Sequence, residues 1–436
     1  MAKTLFEAYK NRLAVADTVY GRAHEGSKMS NNVKLVTAKT LENTNRFLNE
    51  AFEQSAGTQR ADMNMFKKFC MNLTTVALPN LIAHDLVIVH PMSSMSGFIT
   101  YIEYQYSVDK GATANGDVIA NPFGLYTERG VDGTGRNVDA DYTGARVVEA
   151  ITEGMTKVAW GPVVADSVKF LDDANNVVEG GSLAADGTFT APEGATKIAY
   201  VYDNIVVPQG KLPMIKAEMK SIALVAKARR IAIFYSQIAA YQAKTDYGVD
   251  LGDQLAEKAV GELSYEIDTE ITNLLVDNAR EDAELVWSKT LPIGVSKSEH
   301  YEGFCEVVEI AKQKIYDATK KFQPNYMLAA SNLLPVLSVV KGWKAAPAGT
   351  VNGPFYAGTL NGLKVFVTPN IEAGTFVIGC NGNDMMSSAA VYAPYMAVVP
   401  TQLLGFADGG MSQGWSTLYD LKMLNPMLLI KGHLVP

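Results

Sequence analysis

The sequence lacks most of the features that announce a chemistry. Its 436 residues hold only three cysteines, Cys70, Cys305 and Cys380, far apart and in no metal-ligand spacing. That excludes a disulfide-stapled scaffold and fits a reducing compartment. Histidine occurs five times and is scattered. His24-Glu25 begins no HExxH motif, and His84 and His90, six apart, suit neither one helix face nor a metal pair with a third ligand nearby. Basic charge is not in excess either: 38 Lys and Arg against 46 Asp and Glu leave −8, the wrong sign for a general nucleic-acid binder. No run of about eighteen apolar residues occurs; the longest candidate, Ile222 to Ala240, is broken by Lys227, Arg229 and Arg230. The N-terminus, MAKTLFEAYKNRLAVADTVYGR, lacks the apolar core and cleavage site of a signal peptide, so a soluble chain with no membrane partner is expected.

Known catalytic and nucleotide motifs are missing as well. GRAHEGSK, Gly21 to Lys28, imitates a P-loop, but its lysine follows Ser27 rather than the second glycine and no buried strand precedes it. GVDGTGR lacks the strand-to-helix setting of a dinucleotide fingerprint, and no GxSxG elbow is present. We therefore expect no catalytic residue, no cofactor and no metal. The absence of a concentrated site favours a structural or assembly protein.

What the sequence does hold is a large apolar content, 48% of residues, sufficient for a substantial core and two or three domains. Residues 1 to about 75 are rich in helix formers and read as an extended helical arm. Over residues 1–40, seven basic side chains face three acidic ones, so the arm is the basic part of an acidic chain. LPNLIAHDLVIVHPMSSMSG, Leu78 to Gly97, is a mostly apolar connection interrupted by His84, Asp85 and His90. FITYIEYQYSV, Phe98 to Val108, then alternates like a strand, with Phe98, Ile102, Tyr104 and Tyr106 on one face. LPMIKAEMKSIALVA, from Leu212, alternates in the same way and is expected to pair with it.

Between these legs lies a Gly, Asp and Asn-rich segment followed by an island of short strands, roughly 146–206, whose turn signals have the spacing of a small antiparallel sandwich. The island carries nine acidic and four basic residues, which predicts a solvated inserted domain. From Leu251, the positions Leu255, Ala259, Leu263, Ile267, Ile271 and Leu274 form one apolar stripe over about seven turns. A second amphipathic helix is expected over Cys305 to Phe322. Short strands alternate to the C-terminus, so the class is α+β with mixed sheets.

Four motifs, in order, then resemble one family. PNLIAHDLVIVHPMSSMSG before an aromatic strand is similar to the start of the core in T-even-type bacteriophage major capsid proteins. His84 stands where the family tends to have phenylalanine, and His90 where it has glutamine. KARRIAIFYSQIAAYQAKTDYGVDLGDQLAEKAVGELSYEIDTEI resembles the family's strand, short helix and spine helix. AAVYAPYMAVVPTQLLGF resembles its closing YAPY strand, and YDLKMLNPMLL its final strand.

The resemblance implies the Hong Kong 97-type capsid fold. Its parts would be an N-terminal arm (1–78), an E-loop region (79–225) with the island at 146–206 inserted, a peripheral domain (226–324) with spine helix 251–278, an axial domain (325–395), and closing strands of the peripheral domain (396–436). It also implies self-assembly into hexamers and pentamers of a phage head, with vertex, portal, scaffold or decoration proteins as further partners and packaged DNA as non-specific content. Alternatives are a paralogous vertex protein forming only pentamers, and a hydrolase carrying the island as a carbohydrate module. His84, Asp85 and His90 would then satisfy polar groups in a buried connection. Related capsid proteins often lose an N-terminal segment to a protease cutting after glutamate; Leu48-Asn49-Glu50 before Ala51 is the best match here, and we expect the arm to be retained.

Overall fold

The computed structural model describes residues 2–23, 27–53, 60–110, 115–116, 145–203, 205, 212–248, 251–319, 322–346, 353–382, 385–401, 403–406 and 409–435. They form two compact units, residues 1–99 with 222–436, and residues 100–221.

In chain order, helices α1 (Ala2–Ala8), α2 (Lys10–Ala23), α3 (Asn31–Glu53), α4 (Arg60–Ala77) and α5 (Ala83–Leu86) lead to strands β1 (Ile88–Val89) and β2 (Ser96–Tyr106). The island supplies β3 (Arg146–Ala150), β4 (Lys169–Leu171), β5 (Val177–Val178), β6 (Ser182–Leu183), β7 (Phe189–Thr190) and β8 (Lys197–Val201). Then come β9 (Ile215–Val225), β10 (Lys227–Ser236), α6 (Gln237–Tyr247), α7 (Leu251–Asp277), β11 (Arg280–Ser288) and α8 (Lys297–Thr319). The last part holds β12 (Tyr326–Ala330), α9 (Leu334–Leu337), β13 (Trp343–Ala345), β14 (Phe355–Leu360), β15 (Leu363–Thr368), β16 (Thr375–Gly379), β17 (Ala390–Pro400), β18 (Leu404–Gly405), β19 (Gly410–Met423) and β20 (Leu429–Val435). This α+β set contains the paired legs (β2 with β9), the long helix α7 and the mixed sheets that the resemblance implied.

The N-terminal helices do not form the extended arm expected from composition. They fold back, with α3 against both α4 and β17, and α2 against α4. The reason is an apolar and threonine face on α3, where Val33, Val36, Thr37, Thr40, Leu41, Thr44 and Leu48 recur at three or four residue spacing and are all buried. The threonine hydroxyls return their hydrogen bonds to the preceding turn, Thr37 to Val33 O at 2.9 Å, Thr40 to Val36 O at 2.8 Å and Thr44 to Thr40 O at 2.9 Å. Bonded in this way, the hydroxyls need no water.

Two sheets carry the rest of the first unit. One has the order β1-β17-β19-β10, with β18 also paired to β19. The other runs β11-β20-β16-β12-β15-β14-β13. All eleven residues of β17 are buried, which explains why AVYAPYMAVVP reads as a continuous apolar run rather than an alternation. The segment expected to close a single peripheral domain, 396–436, is divided instead: β19 pairs β17 and β10, whereas β20 pairs β16 and β11 in the second sheet. Asn425-Pro426 makes the switch, because Asn425 caps a single turn at Pro426–Leu428 by accepting from Met427 N at 3.0 Å. In β14 the register shifts at Gly358; its φ of +152° and the approach of the Lys344 carbonyl leave no room for a side chain.

The second helix, α8, begins eight residues before the expected Cys305. Ser296 and Glu299 form a reciprocal cap, with Ser296 N donating to Glu299 Oε2 at 3.2 Å and Glu299 N to Ser296 Oγ at 3.3 Å. Tyr301, Phe304, Val308, Ala311 and Ile315 pack on the second sheet.

In the other unit, the island forms a four-stranded sheet, β3-β8-β4-β5, and a hairpin, β6-β7. Its core centres on Trp160, Phe170, Phe189, Ile198, Tyr200 and Tyr202.

Candidate assembly surfaces

The connection at Leu78 to Gly97 is tied down by backbone and side-chain contacts. His84 Nε2 lies 3.2 Å from Leu78 O, and its ring meets the edge of Tyr20 at 6.0 Å. Asp85 pairs with Lys364 at 2.7 Å. The Asn381 amide donates to the carbonyls of His84, Asp85 and Val87 at 3.0 to 3.4 Å. His90 N donates to Tyr392 O at 2.9 Å, continuing the β1 to β17 pairing, and burial holds its imidazole below the usual value. A cleft of about 300 Å³ beside this connection is lined by Ser30, Asn32, Asp85, Asn325, Lys364 and Asn381 among others. Among the described residues no cluster of three His, Cys, Asp or Glu could hold a metal ion. His24, Glu25 and GVDGTGR lie outside the described residues.

Helix α7 holds the first unit together along two successive contacts. Ala256, Ala259 and Leu263 pack with Ala77, Val398 and Trp415. Ile267, Ile271 and Leu275 pack with Val36, Leu78 and Leu86. The buried stripe therefore uses Ala256 and Leu275 where the sequence spacing chose Leu255 and Leu274, which are half-buried at its rims. Each four-residue step from Ala259 to Leu275 turns about 40° beyond a full turn, so the buried face winds around the helix from the Trp415 contact to the Leu78 contact. Asp268 sits within this contact, buried, with its Oδ1 accepting from Ile82 N at 3.2 Å. Burial raises its pKa well above the ordinary carboxylate value, opposed by that one N–H. Nearby, Glu270 accepts from Arg229 Nη2 at 2.6 Å and from Tyr419 OH at 2.5 Å, clamping β10 and β19 to the helix. Sequence periodicity carried no signal for Asp268, Glu270 or their partners.

The remaining conspicuous feature is apolar surface facing solvent. On the β2-β9 ribbon, Phe98 (71%) and Met219 (73%) are exposed, as are Ile102, Tyr104 and Ile215. Tyr106, expected on the same face, is buried, and Gln105 is buried with it, its amide 2.9 Å from Glu218 Oε2. At the far end of the β10-β19 pair, Phe234 (62%) meets Phe406 with tilted rings, centroids 6.2 Å apart, beside exposed Leu404, Ile238 and Tyr241. Ile293, with Leu291 and Val295, is exposed in the loop between β11 and α8. Scattered single residues need no explanation; grouped aromatics and aliphatics mark interaction surfaces.

The island is the opposite case. Trp160, Tyr200 and Tyr202 are buried, and Lys110 Nζ lies over the Trp160 and Tyr202 rings at 5.3 and 5.1 Å. These aromatics form a core rather than the exposed platform on which a sugar would stack, which removes the basis for reading the island as a carbohydrate module.

Comparison with known proteins agrees with the motifs. The family described as Major capsid protein Gp23 matches residues 63–428. The major capsid protein of Enterobacteria phage T4 is 24% identical over 423 residues, 85% of this chain and 78% of its own length. That of Vibrio phage KVP40 is 21% identical over 405 residues, 82% and 75% of the two chains. A solved structure from Mycobacterium phage Adephagia aligns over 66% of this chain and 95% of its own, with a TM-score of 0.36 and 17% identity.

Proposed function

This chain belongs to the family of the major capsid protein Gp23, and from that premise we propose that its copies build both the hexamers and the pentamers of the icosahedral head shell enclosing the phage genome. The carrying observation is the family match across residues 63–428, which spans α7, the first sheet and every strand of the second sheet but β20. The relatives it resembles are major capsid proteins, which favours a shell-wide role over a protein confined to the vertices. Exposed apolar groups on the ribbon and at the β10-β18 end fit a subunit that buries them against further copies, and modest pairwise affinities multiply around a closed shell.

In this reading the protein acts without catalysis or a cofactor. It assembles in the cytoplasm of the bacterial host, where vertex, portal, scaffold or decoration proteins join it, and DNA is held non-specifically behind an acidic wall. Residues 226–324 serve as the peripheral domain and 325–395 as the axial domain, β20 joining the latter. The island, with its excess of acidic side chains, lies on the outer face, away from packaged phosphates. The N-terminal helices are retained: Glu50 is exposed near the end of α3, but Leu48 is buried against Cys70 and Val399, so a protease would have to unwind a packed helix to cut there. The intact mass of the virion protein checks this, and a species beginning at Ala51 would contradict it. For the function itself, sedimentation and electron microscopy of the purified chain should show shells, tubes or capsomers; a stable monomer with hydrolytic activity would overturn the reading.

A further inference from the structure

Strand β10 is an edge. In the order β1-β17-β19-β10, no strand among the described residues lies on its far side. Its ten residues pair with β19 in one unbroken register from Lys227 opposite Tyr419 to Ser236 opposite Gly410. It contains neither proline nor a bulge, and the charges that could guard the edge, Lys227, Arg229 and Arg230, are confined to its first four residues, leaving Ile231 to Ser236 without one.

The register also tells which backbone groups face outward. Ala232 lies opposite Gly414. Gly414 uses both of its backbone groups on the other side, its carbonyl accepting from Thr401 N at 2.7 Å and its N–H donating to Thr401 Oγ1 at 2.9 Å. The Ala232–Gly414 pair is therefore one without mutual hydrogen bonds, and the N–H and C=O of Ala232 point away from β19. Every second residue repeats this, so Ala228, Arg230 and Phe234 present theirs to the same side. At the next odd position, Gln237 N donates inward to Gly409 O at 3.0 Å, as the alternation requires.

We propose that β10 pairs antiparallel with β10 of a second copy about a two-fold axis at Ala232, joining the two sheets into one. The occupant is argued from charge. KARRIAIFYS is polarised, basic at one end and aromatic at the other. Centring the axis on Ala232 sets Arg230 opposite the second copy's Phe234, both side chains being exposed, so a cation meets an aromatic face. Slipping two residues either way sets Arg230 opposite Ala232 or Ser236 and forfeits the cation–aromatic pair, and slipping four toward the basic end sets Arg230 against Arg230, disfavoured by like charge. Arg229, on the inner face, is already held by Glu270 and does not compete.

The proposal rests on the reading that copies of this chain form the shell, and the test separates the two. Across a hydrogen-bonded antiparallel pair the Cα atoms lie about 5.5 Å apart, within disulfide reach. Particles of Ala232→Cys, mildly oxidised, should give a disulfide-linked dimer as the main species on a non-reducing gel, whereas Arg230→Cys and wild type should stay monomeric there. Ala232→Pro removes an outward N–H that the isolated fold does not use; it should fold with the wild-type circular dichroism yet fail to close shells. Closed wild-type shells together with undimerised Ala232→Cys particles, or normal shells from Ala232→Pro, would overturn the β10 contact alone. A wild-type chain that forms no shell or capsomer would overturn the shell reading, and the two-fold contact with it.

Discussion

Replacing Leu263 with aspartate tests the packing of α7 where it is tightest. Leu263 is 1% exposed and lies among Ala77, Ala256, Ala259, Val398 and Trp415, with Ile231 and Ile233 of β10 against the same cluster. Truncation to alanine removes the transfer energy of the side chain and leaves a cavity, costing about 2–5 kcal/mol. Aspartate adds a carboxylate without a partner, which must either be desolvated charged or be kept protonated, so that the total reaches roughly 5–8 kcal/mol. Against a folding margin of about 5–15 kcal/mol, Leu263→Asp should leave little or no soluble protein and Leu263→Ala should survive with a lowered urea midpoint. Trp415 fluorescence reports the same cluster directly. Glu266→Ala, on the exposed face of the same helix, should stay within about 0.5 kcal/mol of wild type. A soluble Leu263→Asp protein with the wild-type midpoint would refute the assigned register of the helix.

Three further outcomes follow from particular contacts. The folded chain keeps a proton on Asp268 that the unfolded chain releases above about pH 3.9. The contribution of Asp268 to stability therefore falls as pH rises from there until the raised folded pKa is passed, by about 1.4 kcal/mol for each pH unit crossed. Asp268→Asn keeps the acceptor for Ile82 N and does not titrate, so its advantage in urea midpoint should grow between pH 4 and 7; a pH-independent difference would contradict the buried neutral acid. Asn43→Ala should cost about 1–3 kcal/mol and raise hydrogen exchange in α3, since the Asn43 amide donates to the buried carbonyls of Met92 at 2.7 Å and Tyr395 at 2.9 Å; unchanged protection would show that α3 is not held there. Replacing the island, Arg146 to Ile205, with a Gly-Ser linker should leave closed shells of normal diameter with smoother surfaces, whereas loss of all assembly, or island density on the inner wall, would sink its accessory role.

Local periodicity made much of this fold legible. The alternation from Phe98 and from Leu212 announced two strands, which pair with each other although much of their surface is exposed, and the three-to-four spacing after Leu251 announced a long helix, which is packed along one face. The fold-back of α3 was hidden because its contact face is partly threonine, polar by composition and apolar in effect once each hydroxyl bonds its own preceding turn. Division of the C-terminal strands between two sheets depends on one Asn-Pro turn and on pairings 50 to 150 residues apart, which no local pattern encodes. The same holds for the surfaces. The Asp268 and Glu270 contacts and the outward groups of β10 exist only through long-range register.

The most direct measurement is a subunit-resolved reconstruction of purified heads. The account predicts that this chain occupies the hexamer positions throughout the shell and the pentamers as well, each copy showing α7 as a rod of 27 residues. A lattice built from another polypeptide, with this chain absent or confined to the vertices, would contradict it.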